Sequence, residues 1–177
     1  MAGPVVAAAV ILPQDIIIDG VNDSKKLTEK KRNILFEEIK QKAFSYGIGI
    51  VDSKTIDDIN ILQATFLAMR KAIEQLSETP NLILVDGNHI IPNIKTNQQS
   101  IVSGDAKSAC IACASILAKV TRDNIMYEYA ELYPQYDFQK HKGYGTKAHL
   151  EAIKKFGHCP IHRMSFAPLN SKQIELL

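Results

Sequence analysis

The chain opens on an apolar run with no polar lead-in. Val5 to Leu12 carries no charge and no turn residue, and Pro13 ends the run. A short run that is apolar at every position predicts a strand buried on both faces. It is far shorter than the ~20 apolar residues that a membrane helix needs. The first basic residue is Lys25, so the basic region of a secretory signal does not precede the run.

The helical pattern is clearest between Ile59 and Leu76. Apolar residues recur there at alternating steps of three and four, which predicts one helix packed against the core. The repeat is too short for a coiled coil. Cap residues and the absence of Gly and Pro predict three further helices, which cover residues 28–44, 106–133 and 146–157.

Three more strands are predicted from short apolar segments, "SYGIGIV", "NLILVDG" and "QSIVSGD". The first alternates Tyr46, Ile48 and Ile50 with smaller residues, and the other two lead into a glycine beside an acid. The predicted order is strand, helix, strand, helix, strand, strand, helix, helix. This order indicates an α/β fold with most of the sheet buried and acids at strand ends.

Composition is that of an ordinary globular protein. The hydrophobic fraction is 46% and the charged fraction 23%. The 177 residues are most simply one domain, with a C-terminal helical part from about residue 134. A net charge of +2 permits a nucleic-acid partner without arguing for one. Three cysteines without a signal peptide fit a reducing compartment, so we expect a cytoplasmic protein.

Two acidic residues at predicted strand ends carry the most informative chemistry. Asp86 in "LVDG" and Asp105 in "SGD" each follow an apolar strand and lie next to a glycine. Two such carboxylates could share a divalent cation such as Mg²⁺, which prefers oxygen ligands. Such a pair suits metal-assisted phosphodiester hydrolysis. The alternative is that both are turn residues or helix caps, Asp105 in particular.

The cysteines of "CIAC" have the spacing of a redox or zinc motif. No second pair accompanies Cys110 and Cys113, and both fall in an apolar predicted helix. We interpret them as small residues packed in a buried helix. A zinc site that also uses "HCPIH", residues 158–162, matches no known zinc class. No dinucleotide loop, Walker loop or nucleophile elbow is present in the sequence.

Two polar segments carry basic side chains. Lys25 and Lys26 lie in a predicted loop ahead of a helix. The segment "HKGYGTKAH", residues 141–149, places Tyr144 among histidines and lysines around two glycines. A basic loop with an aromatic ring suits contact with nucleic-acid phosphates and stacking on a sugar or base. The alternative is an ordinary solvated loop.

Taken together, the segments resemble one family, bacterial ribonuclease HII. Eight matching segments occur in the family's order between Ala2 and about Phe166: "AGPVVAAAVIL", "NDSKKLTEKKR", "DDINILQATFLAM", "LILVDGN", "GDAKS", "ACASILAKVTRD", "PQYDFQKHKGYGTKAH" and "HRMSF". The resemblance implies a ribonuclease H-like fold, a mixed sheet flanked by helices. It also implies an endonuclease that cuts the RNA strand of RNA/DNA hybrids and single ribonucleotides embedded in DNA. The family uses Mg²⁺ or Mn²⁺ and leaves 5′-phosphate and 3′-hydroxyl ends.

The resemblance assigns roles to five residues of this chain. The acids of "LVDG" and "SGD", Asp86 and Asp105, are implied to be catalytic and to bind the metal. The tyrosine of "KGYGT", Tyr144, is implied to lie against the sugar at the step from ribonucleotide to deoxyribonucleotide. Lys25 and Lys26 fall in the family's substrate-side loop. No membrane partner is expected, and a monomer is expected if the domain is intact.

The resemblance also implies a strand that this sequence lacks. In the family, an Asp-Glu pair and Gly-Arg-Gly-Pro precede the segment matching "AGPVVAAAV" and supply two more metal ligands and the central strand. We therefore expect the first, central strand to be missing and Met1 to be an internal methionine. A missing central strand leaves backbone groups of two neighbours without partners. We expect the 177-residue chain to fold poorly or to pair through an exposed edge, and to have impaired activity.

Two other functions stay open on the sequence. A non-catalytic remnant would still bind hybrid duplexes through Tyr144 and the lysines. An unrelated redox or zinc protein would depend on Cys110 and Cys113. Cleavage of a duplex with one embedded ribonucleotide separates the nuclease from the remnant, and the zinc content of the purified protein tests the last alternative.

Overall fold

The computed structural model describes residues 1–21 and 24–170, which contain four strands and six α-helices. The strands are β1 (Val5–Ile11), β2 (Ser45–Val51), β3 (Leu82–Asp86) and β4 (Asn97–Ile101). The helices are α1 (Glu29–Lys42), α2 (Ser53–Ile59), α3 (Ile61–Glu74), α4 (Ala109–Leu132), α5 (Phe138–His141) and α6 (Lys147–Phe156). Short 3₁₀ turns occupy Gly104–Ala106 and Pro134–Tyr136. The predicted α/β fold is confirmed.

Two predicted helix caps are confirmed. The Thr28 hydroxyl accepts a hydrogen bond from the Lys31 backbone N–H at 3.3 Å, where α1 begins. The Thr146 hydroxyl accepts from the His149 N–H at 3.3 Å, where α6 begins. Both threonines have extended backbone angles, as an N-cap residue requires.

The strands pair in two separate two-stranded sheets. β1 pairs with β2, and β3 pairs with β4 in parallel, with Asp86 opposite Ile101. Over the described residues, no strand joins β1 to β3. The prediction that the opening strand is buried on both faces is wrong, because only Ala7 of β1 is buried and the other six residues are half-buried. Among the described residues, β1 is hydrogen-bonded along one edge, to β2, so no second neighbouring strand helps to cover its side chains.

β2 places its small residues, and not its large ones, against α3. Gly47 and Gly49 lie on the buried face of the strand, whereas Ile50 is 41% exposed. A Cβ atom at Gly47 or Gly49 would collide with a backbone carbonyl oxygen of α3, at Ala72 and Ala68 respectively. The helix and strand backbones are therefore in direct contact, which two glycines permit.

The predicted helix from Ile59 to Leu76 is found as α3, but Ile59 belongs to α2, a separate helix that the pattern did not indicate. Asn60 separates them with a positive φ of 65°, and its Oδ1 accepts hydrogen bonds from the backbone N–H of Leu62 at 3.0 Å and of Gln63 at 3.1 Å. The apolar spacing continues across the break, because one residue alone intervenes between the helices. Periodicity therefore could not show where the backbone turns.

The chain forms two compact units. Among the described residues, the sheet unit comprises residues 6–21, 24–50 and 65–120, and the helical unit comprises residues 1–5, 51–64 and 121–170. In the sheet unit, the largest cluster of buried residues packs α1 against α4 and includes Leu35, Ile39 and Leu117. In the helical unit, Met126 and Phe138 belong to a separate buried cluster. The single-domain expectation stays a prediction, because a division in packing does not test independent folding.

Candidate active site

Asp86 is the last residue of β3 and is held in place by a backbone donor. Its Oδ1 accepts a hydrogen bond from the Gly104 N–H at 2.8 Å. The next residue, Gly87, donates its N–H to the Ile101 carbonyl oxygen at 3.0 Å, so the parallel pairing continues to the end of the strand. The carboxylate is exposed, and its orientation is fixed by this hydrogen bond.

Asp105 lies in the 3₁₀ turn that follows β4. Ser103 enters this turn with a positive φ of 55°, and Gly104 is buried within it. A Cβ atom at Gly104 would lie 2.6 Å from the Ile111 side chain and 3.2 Å from Asp86 Oδ1. Glycine therefore allows the turn that carries Asp105 to approach the Asp86 carboxylate.

The helix-cap alternative for Asp105 is not supported, because α4 begins at Ala109 and Ser108 occupies the cap position. The turn-residue alternative for Asp105 stays open, because Asp105 lies in the 3₁₀ turn beyond the end of β4 at Ile101. Asp86 ends β3, and its hydrogen bond from the Gly104 N–H brings its carboxylate to the residue next to Asp105. Both belong to the sheet unit.

Two carboxylates fit a hydrated hard cation better than a cation enclosed by protein. Mg²⁺ keeps several waters and is usually held by one or two carboxylates together with substrate phosphates. In the described part of the chain, no three or more His, Cys, Asp or Glu residues are grouped to hold a metal ion. Asp86 and Asp105 can therefore contribute ligands to a site that water or substrate oxygens complete.

Both cysteines of "CIAC" lie in α4, and Cys113 is part of the core, as predicted. Cys113 is fully buried in α4 and belongs to the cluster that packs α1 against α4, while Cys110 is half-buried. Burial is the main cause that raises the pKa of the Cys113 thiol to about 12. A thiol with that pKa stays protonated near neutral pH, which makes it a poor nucleophile and a poor metal ligand.

An apolar cavity of about 390 Å³ lies in the sheet unit beside Asp86. Its lining includes every residue from Val6 to Leu12 and every residue from Leu82 to Asp86. Because successive side chains of a strand point to opposite faces, a cavity lined by consecutive residues follows the strand edges and not one face. We call this cavity, bounded by the edges of β1 and β3 and by apolar residues of α3 and α4, the strand slot.

The predicted basic loop is anchored to the core of the sheet unit. The hydroxyl of Ser24 lies 2.9 Å from that of Ser115, and Arg32 donates to the carbonyl oxygens of Ser24 and Leu27 at 3.0 and 2.6 Å. Ser24 is buried, and the two residues that follow it are exposed. These are the predicted substrate lysines, Lys25 and Lys26, which the loop presents to solvent.

Tyr144 belongs to the helical unit and lies in the loop between α5 and α6. Its ring is 57% exposed, and the Arg122 guanidinium lies 5.1 Å from the ring centroid. At this distance the positively charged guanidinium and the face of the aromatic ring attract each other through a cation–π interaction. Asp86 and Asp105 thus belong to the sheet unit and Tyr144 to the helical unit.

A family comparison decides the classification. The model of the family described as Ribonuclease HII matches residues 1–169. The chain belongs to the ribonuclease HII family. The ribonuclease HII of Endomicrobium trichonymphae is 61% identical over 170 residues, which are 96% of this chain and 81% of that protein. The ribonuclease HII of Clostridioides difficile is 59% identical over 166 residues, which are 94% of this chain and 65% of that protein.

Solved structures agree with this classification at the level of the fold. The ribonuclease H2 of Pyrococcus horikoshii OT3 superposes with a TM-score of 0.76 at 24% identity, covering 98% of this chain and 92% of that one. Bst-RNase HIII, solved in complex with Mn²⁺, gives a TM-score of 0.73 at 15% identity over 99% of this chain and 65% of that one. Over residues 1–21 and 24–170, no helix is both long and apolar enough to cross a bilayer.

The sequence did not indicate the structural role of two arginines of this ribonuclease HII chain. Arg122 donates to the carbonyl oxygens of Pro4 at 3.2 Å and Lys142 at 3.0 Å. Arg163 is buried and donates to those of Gly3 at 3.0 Å and Pro4 at 3.2 Å. Both occur in segments that match the family, "KVTRD" and "HRMSF". Nothing in those strings showed that the side chains turn inward to bind backbone carbonyls.

Proposed function

We propose that the chain is a metal-dependent endoribonuclease that cuts the RNA strand of RNA/DNA hybrids and single ribonucleotides embedded in duplex DNA. The observation that carries the proposal is the Asp86 carboxylate, which accepts the Gly104 N–H beside Asp105. Membership of the ribonuclease HII family and the exposed Tyr144 ring support the same substrate.

In this proposal, Asp86 and Asp105 are the catalytic carboxylates that hold Mg²⁺ or Mn²⁺. Held there, such an ion would supply an activated water and would stabilise the leaving oxygen of a phosphodiester. The hydrogen bond from Gly104 keeps one Asp86 oxygen fixed, so the carboxylate does not need to reorganise when it acts. The expected products carry 5′-phosphate and 3′-hydroxyl ends.

Binding of the duplex is assigned to Tyr144, Lys25 and Lys26. A tyrosine ring packs against a sugar or base face without reading sequence. The Arg122 guanidinium contacts the Tyr144 ring at 5.1 Å from the ring centroid. Exposed lysines contact phosphates, which positions a nucleic acid without specifying it. We expect the protein to act as a monomer.

We further propose that the 177-residue chain alone turns over slowly. Two features support this. Asp86 and Asp105 are the two carboxylates assigned to the site, and, within residues 1–21 and 24–170, no strand lies between the edges of β1 and β3 that border the strand slot. The resemblance to the family implies two more acids on a strand between β1 and β3.

A second candidate function, a remnant that binds hybrids without cutting them, rests on the same two features.

One cleavage experiment tests the proposal. A duplex with one embedded ribonucleotide and a 5′-label on that strand is incubated with excess protein, with Mg²⁺, Mn²⁺ or EDTA. We expect slow, metal-dependent cleavage at the ribonucleotide, leaving a 3′-hydroxyl, and no cleavage of the all-DNA duplex. The Clostridioides difficile relative, assayed in parallel, sets the reference rate.

Binding without any cleavage would contradict the nuclease and favour the remnant. Cleavage of the all-DNA duplex at the same rate would contradict the proposed substrate. Cleavage as fast as that of the relative would contradict the proposal that this chain turns over slowly.

A further inference from the structure

The loop that carries Tyr144 is held from inside by a buried series of hydrogen bonds. The Tyr144 carbonyl oxygen lies 2.8 Å from His149 Nδ1. His149 Nε2 lies 3.1 Å from His162 Nε2, and His162 Nδ1 lies 2.9 Å from the backbone nitrogen of Cys159. We call this series, from the Cys159 N–H through His162 and His149 to the Tyr144 carbonyl, the histidine relay.

The two ends of the histidine relay determine where its protons lie. A carbonyl oxygen only accepts, so His149 carries its proton on Nδ1 and accepts at Nε2. The facing Nε2 of His162 must then donate, which leaves His162 Nδ1 to accept the Cys159 N–H. With these tautomers the three contacts of the histidine relay are satisfied, whereas the Cys159 carbonyl oxygen, 3.3 Å from His162 Nδ1, receives no proton from that nitrogen. A second proton on either ring would oppose an existing N–H donor.

Burial keeps both rings of the relay neutral. His149 is 0% exposed and His162 is 2% exposed. Burial is the largest cause that lowers the pKa of both imidazoles, and it brings the pKa of His162 down to about 4. The surrounding groups His141, His158 and the Met1 amine lower these pKa values further. Neutral rings are the state that the hydrogen bonds require.

The backbone around Tyr144 is fixed at neighbouring positions as well. The Tyr144 N–H donates to the His141 carbonyl oxygen at 2.9 Å, and the Thr146 N–H donates to the Tyr144 carbonyl oxygen at 2.9 Å. Gly143 has a φ of 76°, and a Cβ atom there would collide with the backbone of Ala2. The peptide that bears the ring is thus anchored while the ring itself is 57% exposed.

We propose that His149, supported by His162, is a positioning residue that fixes the Tyr144 backbone and thereby aims its ring at the sugar of the duplex. The inference rests on the proposed function, which assigns the ring to the substrate. His149 acts through the Tyr144 carbonyl and does not touch the substrate itself. Asn at position 149 retains an amide donor near the position of Nδ1, whereas Leu has none.

Amide hydrogen exchange, measured on the full chain without substrate, tests whether His149 anchors the loop that carries Tyr144. In His149→Leu, the Thr146 amide is expected to exchange roughly tenfold faster, because the loop loses the contact that anchors the Tyr144 peptide and opens locally more often. His149→Asn is expected to restore most of the protection. Unchanged exchange in His149→Leu would overturn the proposal.

Binding of duplex DNA with one embedded ribonucleotide, in EDTA to prevent cleavage, tests the functional consequence. We expect His149→Leu to raise the Kd about tenfold, as loss of one aromatic contact does, and His149→Asn to raise it far less. His158→Gln, which changes an exposed histidine of the same segment, should leave it unchanged. In a Tyr144→Ala background, His149→Leu should weaken binding no further.

If His149→Leu and Tyr144→Ala raise the Kd by independent factors that multiply in the double variant, His149 has a structural role alone. That result would overturn the positioning role. If Tyr144→Ala leaves the Kd unchanged, the assignment of the ring to the substrate fails, while the exchange data still decide whether the relay holds the loop. If His149→Leu does not fold, imidazole ¹⁵N spectra of the unaltered chain decide. They should show Nδ1–H at His149 and Nε2–H at His162, and the opposite tautomer at either ring would overturn the relay.

Discussion

Replacing Asp86 by Asn is expected to abolish metal-dependent cleavage and to leave the fold intact. The amide oxygen of Asn can still accept the Gly104 N–H that Asp86 Oδ1 accepts at 2.8 Å, so the turn keeps its partner. The negative charge that binds the cation is lost. Because a bound metal stabilises the transition state by several kcal/mol, we expect single-turnover cleavage to slow by about 10²–10³-fold.

The control for this prediction is Asp58→Asn, the same change at an exposed residue of α2. Both variants and the unaltered chain are assayed with protein in excess over labelled duplex, so that slow cleavage is measurable. The thermal transition of each is recorded to show that the fold persists. A cleavage rate for Asp86→Asn within a few-fold of that for Asp58→Asn would contradict a catalytic role for Asp86.

Replacing Gly49 by Val is expected to destroy the cooperative folded state. Valine favours strands and Gly49 has no positive φ, so the local backbone would accept it. A Cβ atom there would nevertheless collide with the Ala68 carbonyl oxygen and lie 2.9 Å from the Ala72 nitrogen, both in the backbone of α3. Backbone cannot rotate away as a side chain can, so we expect a loss above about 4 kcal/mol.

Urea denaturation of Gly49→Val measures this loss, with Ile50→Thr as the matched control. Ile50 is on the exposed face of the same strand at 41% exposure, and a surface substitution there should change the free energy of unfolding by about 0.5 kcal/mol. A denaturation midpoint for Gly49→Val close to that of the unaltered chain would show that the strand and helix do not pack in backbone contact.

Several parts of the fold and site could be predicted because they depend on local chemistry. Thr28 and Thr146 cap helices through their own hydroxyls, and a hydroxyl before a helical pattern is visible in the sequence. The position of Asp86 is equally local, because a short apolar strand runs directly into this acid and a glycine. Asp105 does not end a strand, because β4 stops at Ile101, and the assignment of both acids to a metal site stays a prediction.

Features that depend on packing between distant segments could not be predicted. The alternation of Tyr46, Ile48 and Ile50 indicated a strand correctly, but the buried face is that of Gly47 and Gly49. Size alone favours burying the larger side chains, and only contact with the α3 backbone reverses this choice. The histidine relay is hidden for the same reason, because 13 residues separate its two rings along the chain.

The most direct test of the central claim, that Asp86 and Asp105 form a metal site, does not depend on turnover. Mn²⁺ broadens the NMR signals of nearby nuclei, and it is added in small amounts to the ¹⁵N-labelled chain. We predict selective broadening of the Gly87 and Gly104 amide signals, lost in Asp86→Asn and in Asp105→Asn but kept in Asp58→Asn. Amide signals of both glycines that stay sharp, or broadening that persists in both site variants, would contradict the claim.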